Sequence, residues 1–134
     1  MDAFAHEWNG TMNLSNHHNT NWYDFLRHKV NSFIKWDLVR FFHDNPHTRD
    51  TAENIAKYIS RDTKVVEREL QGLVMAGVID QEHLPQTELY ALCDDAAIRA
   101  LIDDFMIACH DREFRVQAIQ QVIQGMQFTP RHDF

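Results

Sequence analysis

Five side chains with cationic or hydrogen-bonding ends lie within one short stretch: Arg61, Thr63, Lys64, Arg68 and Gln71. With the stretch wound as a helix at about 100° per residue, Val66, Leu70, Leu73, Val74 and Gly77 point one way. Arg61, Lys64, Arg68, Gln71 and Met75 point the other. Arg and Gln are the side chains whose paired hydrogen bonds match guanine and adenine edges, and Lys64 is placed to neutralise a phosphate. Glu67 and Glu69 fall on the two flanks, so a helix with little net charge still carries a sorted basic and polar face. A merely solvated helix also shows Arg and Lys outward, and the pattern alone does not separate the two readings.

Other candidate chemistry is thinner. In "CHDRE", His110 and Glu113 fall one helical turn apart and are within reach of Cys109 or Asp104. Two such ligands often coincide by chance, so a salt-bridged helix surface is the simpler reading and no metal or cofactor is expected. His17-His18 sits in a polar arm and reads as solvated. The four glycines, at 10, 72, 77 and 125, are isolated, which excludes a phosphate loop of the usual kind. The acid pairs Asp94-Asp95 and Asp103-Asp104 split across a helix face rather than converging, and no Ser or Cys sits in a nucleophile motif. No enzyme is expected.

Composition narrows the class further. The chain has 134 residues, 44% of them hydrophobic, enough for one sizeable core. Its net charge of −7 argues against sequence-blind nucleic-acid binding, so any DNA contact needs a locally organised face. Cys93 and Cys109 form no disulfide or zinc framework, which fits a reducing, cytoplasmic compartment. No apolar run approaches the roughly 20 residues of a membrane span, and "MDAFAHEWNG" lacks the regions of a signal peptide. Without such a signal, the glycosylation-like triplets Asn9-Gly10-Thr11 and Asn13-Leu14-Ser15 carry no meaning.

The elements that must position these residues follow from periodicity. Residues 1–20 are Asn-rich with few apolar anchors and read as a flexible arm. Apolar residues at three- and four-residue spacing predict helix from Asn21 to His43, divided near Asn31-Ser32 and stopped at Asn45-Pro46. A second helix is predicted over about 51–59, capped by Asp50 with Glu53 three residues beyond Asp50. After the turn Ser60-Arg61-Asp62, a third runs to about Ala76, capped by Asp62 or Thr63 and closed by Gly77. "VIDQEH" and "TELYAL" alternate as strands around Leu84-Pro85-Gln86 and predict a hairpin.

Three helices followed by a two-stranded hairpin resemble the winged helix-turn-helix domain. "IAKYISRDTKVVERELQGLVMAGVI" is similar to the core of arsenic-repressor-like and multiple-antibiotic-resistance-repressor-like regulators. The resemblance covers about residues 33–92. It implies that small Ala56 lets two helices cross closely, that Val66, Leu70, Leu73 and Val74 seat the recognition helix, and that double-stranded DNA is the partner. The DNA-binding residues would be Arg61, Thr63, Lys64, Arg68 and Gln71. The hairpin departs from the pattern: it offers Glu82, His83, Gln86 and Glu88 where a DNA-gripping wing carries Lys or Arg. That departure raises the alternative of a protein-docking module.

Beyond the hairpin, Ile98, Ile102, Phe105, Cys109, Val116, Ile119 and Ile123 recur in steps of three and four, interrupted at Arg112. This is a heptad-like seam on one long helix, and it predicts a homodimer presenting two recognition helices to a two-fold site. The expected fold is therefore mainly α: a winged helix-turn-helix with an added long C-terminal helix. The expected divisions are an arm over 1–20, a winged-helix domain over 21–92, a dimerisation helix over 93–127 and a tail over 128–134. The expected role is a dimeric, sequence-specific DNA-binding transcriptional regulator.

Overall fold

The computed structural model describes residues 20–127. The tail predicted over 128–134, His17-His18, the glycosylation-like triplets and all of the predicted arm but Thr20 lie outside them. In chain order the elements are α1 (Trp22–His28), α2 (Phe33–Asp44), β1 (Arg49–Asp50), α3 (Ala52–Ile59), α4 (Thr63–Met75), β2 (Ile79–His83), β3 (Glu88–Leu92), α5 (Ala96–Ala108) and α6 (Arg112–Gln127). The chain is mainly helical with a small antiparallel sheet, and no helix among the described residues is long and apolar enough to cross a membrane. It divides into two compact units, one of residues 33–103 and one formed from the residues before and after them.

In the unit of residues 33–103, α2, α3 and α4 bury the apolar stripes that their periodicity requires. Leu38, Val39 and Phe42 of α2, Ile55 and Ala56 of α3, and Val66, Leu70 and Leu73 of α4 are all essentially inaccessible. Thr51, rather than Asp50, caps α3: its Oγ1 accepts from Asn54 N at 3.2 Å. Asp50 Oδ1 instead accepts from Thr51 N at 2.7 Å and from Asn54 Nδ2 at 2.8 Å. Ser60 ends α3 in the left-handed region (φ 58°), and Asp62 caps α4 by accepting from Val65 N at 3.1 Å. Gly77, at φ +79°, turns the chain out of α4 as Val78 N donates to Leu73 O at 2.9 Å.

The sheet has three strands, not two, in the order β1-β3-β2. β2 pairs with β3 from Ile79↔Leu92 to His83↔Glu88, and β1 adds Arg49↔Ala91 and Asp50↔Tyr90. Because side chains alternate across a strand, Ile79, Gln81, Tyr90 and Leu92 share one face, on which Ile79, Tyr90 and Leu92 are buried.

The other unit is built around an aromatic cluster. Trp22 meets Phe25 edge-on at 5.3 Å and Phe114 edge-on at 5.8 Å, while Phe25 lies 5.0 Å from Phe105. All four rings are buried, as are Leu26, Val30, Ala118 and Val122 of the same unit. Asn21 caps α1 through Asp24 N.

The single long C-terminal helix of the sequence reading is two helices. At 109–111 the chain turns, Asp111 Oδ1 accepts from Glu113 N at 3.0 Å, and Arg115 Nη1 donates to Cys109 O at 2.6 Å. A short polar side chain that satisfies the free N–H groups of a new helix start competes with continuing the old helix, and here it prevails. One consequence is that His110 and Glu113 do not share an unbroken helical turn.

Candidate nucleic-acid interface

The exposed side of α4 belongs wholly to the unit of residues 33–103. Its seat is fixed from below by apolar contacts and from the side by an ion pair in which Lys35 Nζ of α2 lies 3.0 Å from Glu69 Oε1, each side chain only 15% exposed. The lysine crosses α4 at Gly72, where a Cβ would come within 2.6 Å of Lys35 Cε and 2.9 Å of Nζ. A methyl group there would push the end of the Lys35 side chain aside. Glu69, a flank of the sorted face in the sequence reading, is thus part of the packing between α2 and α4.

The five predicted contact residues fall into three kinds. Thr63, Lys64 and Arg68 are exposed along the first turns of α4, and Arg68 has only a loose approach to Glu69, at 3.8 Å. Arg61, in the turn before α4, is held: its Nη2 donates to Asp37 Oδ2 at 2.7 Å, while Arg40 Nη2 donates to Asp37 Oδ1 at 2.9 Å. Gln71 is held from the other side. Its Nε2 donates to Gln81 Oε1 and to the Tyr90 hydroxyl, both at 3.1 Å, and Gln81 Nε2 donates to Glu88 Oε1 at 2.9 Å.

Gln71 is therefore engaged within the chain, its Nε2 having two acceptors, Gln81 Oε1 and the Tyr90 hydroxyl. Tyr90 anchors it. Burial raises the Tyr90 hydroxyl pKa, the hydrogen bond from Gln71 lowers it, and the Glu67 and Glu88 charges raise it; the net upward shift leaves a neutral acceptor at neutral pH. No periodicity or spacing signals this arrangement, since its members lie on α4, β2 and β3.

The hairpin carries little free positive charge. Arg49 of the neighbouring β1 pairs with Glu82, and His83 Nδ1 faces Glu88 Oε1 at 2.5 Å. Asp80 adds another exposed acid. Met75 at the end of α4 is 87% exposed, and Tyr58 of α3 and Leu84 of the hairpin turn are also exposed.

The predicted dimer residues are distributed differently from a single seam. Ile102 and Phe105 are buried within the chain and offer no surface to a partner. Ile98 and Ile102 belong to the unit of residues 33–103, and Phe105, Cys109, Val116, Ile119 and Ile123 to the other. Val116 and Ile123 keep 39% and 41% of their surface, and Ile107, which the heptad pattern missed, keeps 64%. Among the described residues, no group of three or more His, Cys, Asp or Glu is placed to hold a metal ion.

No family model, curated protein or solved structure matches the chain.

Proposed function

We propose that the unit of residues 33–103 is a winged helix-turn-helix domain and that the protein is a dimeric, sequence-specific DNA-binding transcriptional regulator. The reading rests on the order helix, strand, helix, helix, hairpin, in which α4 follows a tight turn and carries Thr63, Lys64 and Arg68 outward. The single observation that carries it is the exposure of Lys64 and Arg68 on a helix that buries Val66, Leu70 and Leu73 on its opposite side. A rigidly seated helix with a cationic, hydrogen-bonding outer face is what major-groove reading requires. The hairpin carries no Lys or Arg, its Glu82 takes Arg49 of β1 and its His83 faces Glu88, so it adds no phosphate contact and affinity comes from α4. Pairing of two chains through Val116, Ile119 and Ile123 would supply the second recognition helix.

The test is Arg68→Ala. On a duplex selected by the wild-type protein, the substitution costs about 1–3 kcal/mol if Arg68 reads a base edge, with no change in the unfolding midpoint. Wild-type affinity in the variant removes the assignment.

One observation favours a second reading, a winged-helix subunit that docks another protein. Met75 is largely exposed at the end of α4, beside an anionic hairpin. Salt separates the two: DNA binding through phosphates falls with a log–log slope of about −0.9 per phosphate neutralised, and apolar docking does not.

A further inference from the structure

The carboxamides of Gln71 and Gln81 are ordered by a group that has no choice of polarity. A carboxylate only accepts hydrogen bonds, so Glu88 Oε1, 2.9 Å from Gln81, must face its Nε2. That turns Gln81 Oε1 toward α4, where it accepts from Gln71 Nε2 at 3.1 Å. The second N–H of Gln71 is taken by the Tyr90 hydroxyl at 3.1 Å, and Gln81 Nε2 approaches the same hydroxyl at 3.5 Å. Reversing Gln71 alone would set two amide oxygens against each other, and reversing both would set Gln81 Oε1 against the Glu88 carboxylate. With both N–H groups engaged, what exposed Gln71 has left to offer is Oε1, an acceptor.

We propose that Glu88, acting through Gln81, makes Gln71 an acceptor-only specificity residue that selects a base offering an exocyclic amino group, N4 of cytosine or N6 of adenine. The inference rests on the DNA-reading proposal above and deepens it. The paired contact that glutamine ordinarily makes with adenine needs a donor and an acceptor from one carboxamide, and here the donors are occupied. The keto oxygens of guanine and thymine at that position meet an oxygen and are disfavoured. Glu88 and Gln81 are positioning residues: they do not touch DNA but set what Gln71 presents.

The experiment is selection from a randomised duplex library with the purified full chain, run in parallel for wild type, Gln71→Ala and Glu88→Gln. Wild type should show one position restricted to cytosine or adenine by about 2- to 13-fold, the range for one net hydrogen bond. Gln71→Ala should level that position alone. Glu88→Gln, whose amide can donate, permits the relay to reverse and should admit guanine or thymine there while leaving the other positions unchanged; Gln81→Ala serves the same purpose should Glu88→Gln fail to fold. In DNA-free protein, the Gln71 side-chain amide resonances should shift in Glu88→Gln. Unmoved resonances overturn the relay. An enriched site indifferent to both Gln71→Ala and Glu88→Gln overturns the inference while leaving DNA reading intact, and a library with no enriched sequence overturns both.

Discussion

Asp37 holds two arginines, and replacing it with Asn releases one of them at nearly constant shape. Arg61 Nη2 lies 2.7 Å from Asp37 Oδ2 and Arg40 Nη2 lies 2.9 Å from Oδ1; the side chains of Asp37, Arg61 and Arg40 are 21%, 45% and 58% exposed. Ion pairs with this much solvent access contribute about 0–1 kcal/mol each, and Asn keeps one carbonyl oxygen for one guanidinium, so stability should fall by about 1 kcal/mol at most. The effect on DNA affinity should be of opposite sign. The chain loses one negative charge from its net −7, and Arg61, in the turn leading into α4, becomes able to meet a phosphate. One additional phosphate steepens the salt slope by about 0.9, equivalent to about 3.5-fold in affinity between about 50 and 200 mM salt. Anisotropy titrations of a labelled duplex across that range, with urea unfolding of the same samples, measure both quantities. A variant with wild-type stability and wild-type slope refutes the claim that Asp37 restrains a DNA-facing arginine. A loss of several kcal/mol would instead make Asp37 a structural keystone.

Other consequences follow from single contacts. Gly72→Ala gains about 1 kcal/mol of helix propensity but displaces Lys35 from Glu69, so it should stabilise a Lys35→Ala background more than wild type; equal effects in both, by denaturant unfolding, contradict the close approach of Lys35 to Gly72. Ile123→Glu should turn a wild-type dimer into a folded monomer by light scattering, since this side chain is 41% exposed within the chain; a wild-type monomer at micromolar concentration ends the dimer proposal. Burial pushes the Cys93 thiol above its ordinary 9.0, so the unfolded chain releases that proton first and Cys93 contributes stability below pH 9 that is lost as pH rises further. Cys93→Ala should flatten the alkaline decline in unfolding midpoint, and an unchanged pH profile contradicts the shift.

What was legible in the sequence is what local chemistry decides. Asp62, Ser60 and Gly77 mark the ends of α3 and α4 because caps and left-handed residues act within a few positions of themselves. The hairpin followed from alternation around Leu84-Pro85-Gln86. β1 did not, because Arg49-Asp50 is a strand only by virtue of pairing with Tyr90 and Ala91 some forty residues away. The break at 109–111 was hidden because Asp111 in "CHDRE" reads equally as helix surface until its carboxylate is seen on Glu113 N. Heptad spacing at Phe105 describes a residue facing another helix without saying whose; here it faces Trp22, Phe25 and Phe114 of its own chain. The same limit applies to the candidate interface: helical geometry placed Arg61 and Gln71 outward, but only tertiary neighbours reveal that Asp37 holds one and Gln81 with Tyr90 the other.

Whether α4 reads DNA sequence is decided by selecting duplexes from a randomised library with the purified chain at moderate salt and sequencing those retained. An enriched motif is expected with two related half-sites one helical turn, or a multiple of it, apart, lost from the selection when Arg68 is replaced by Ala. Retention with no enriched motif, or the same motif recovered by the Arg68→Ala protein, would contradict it.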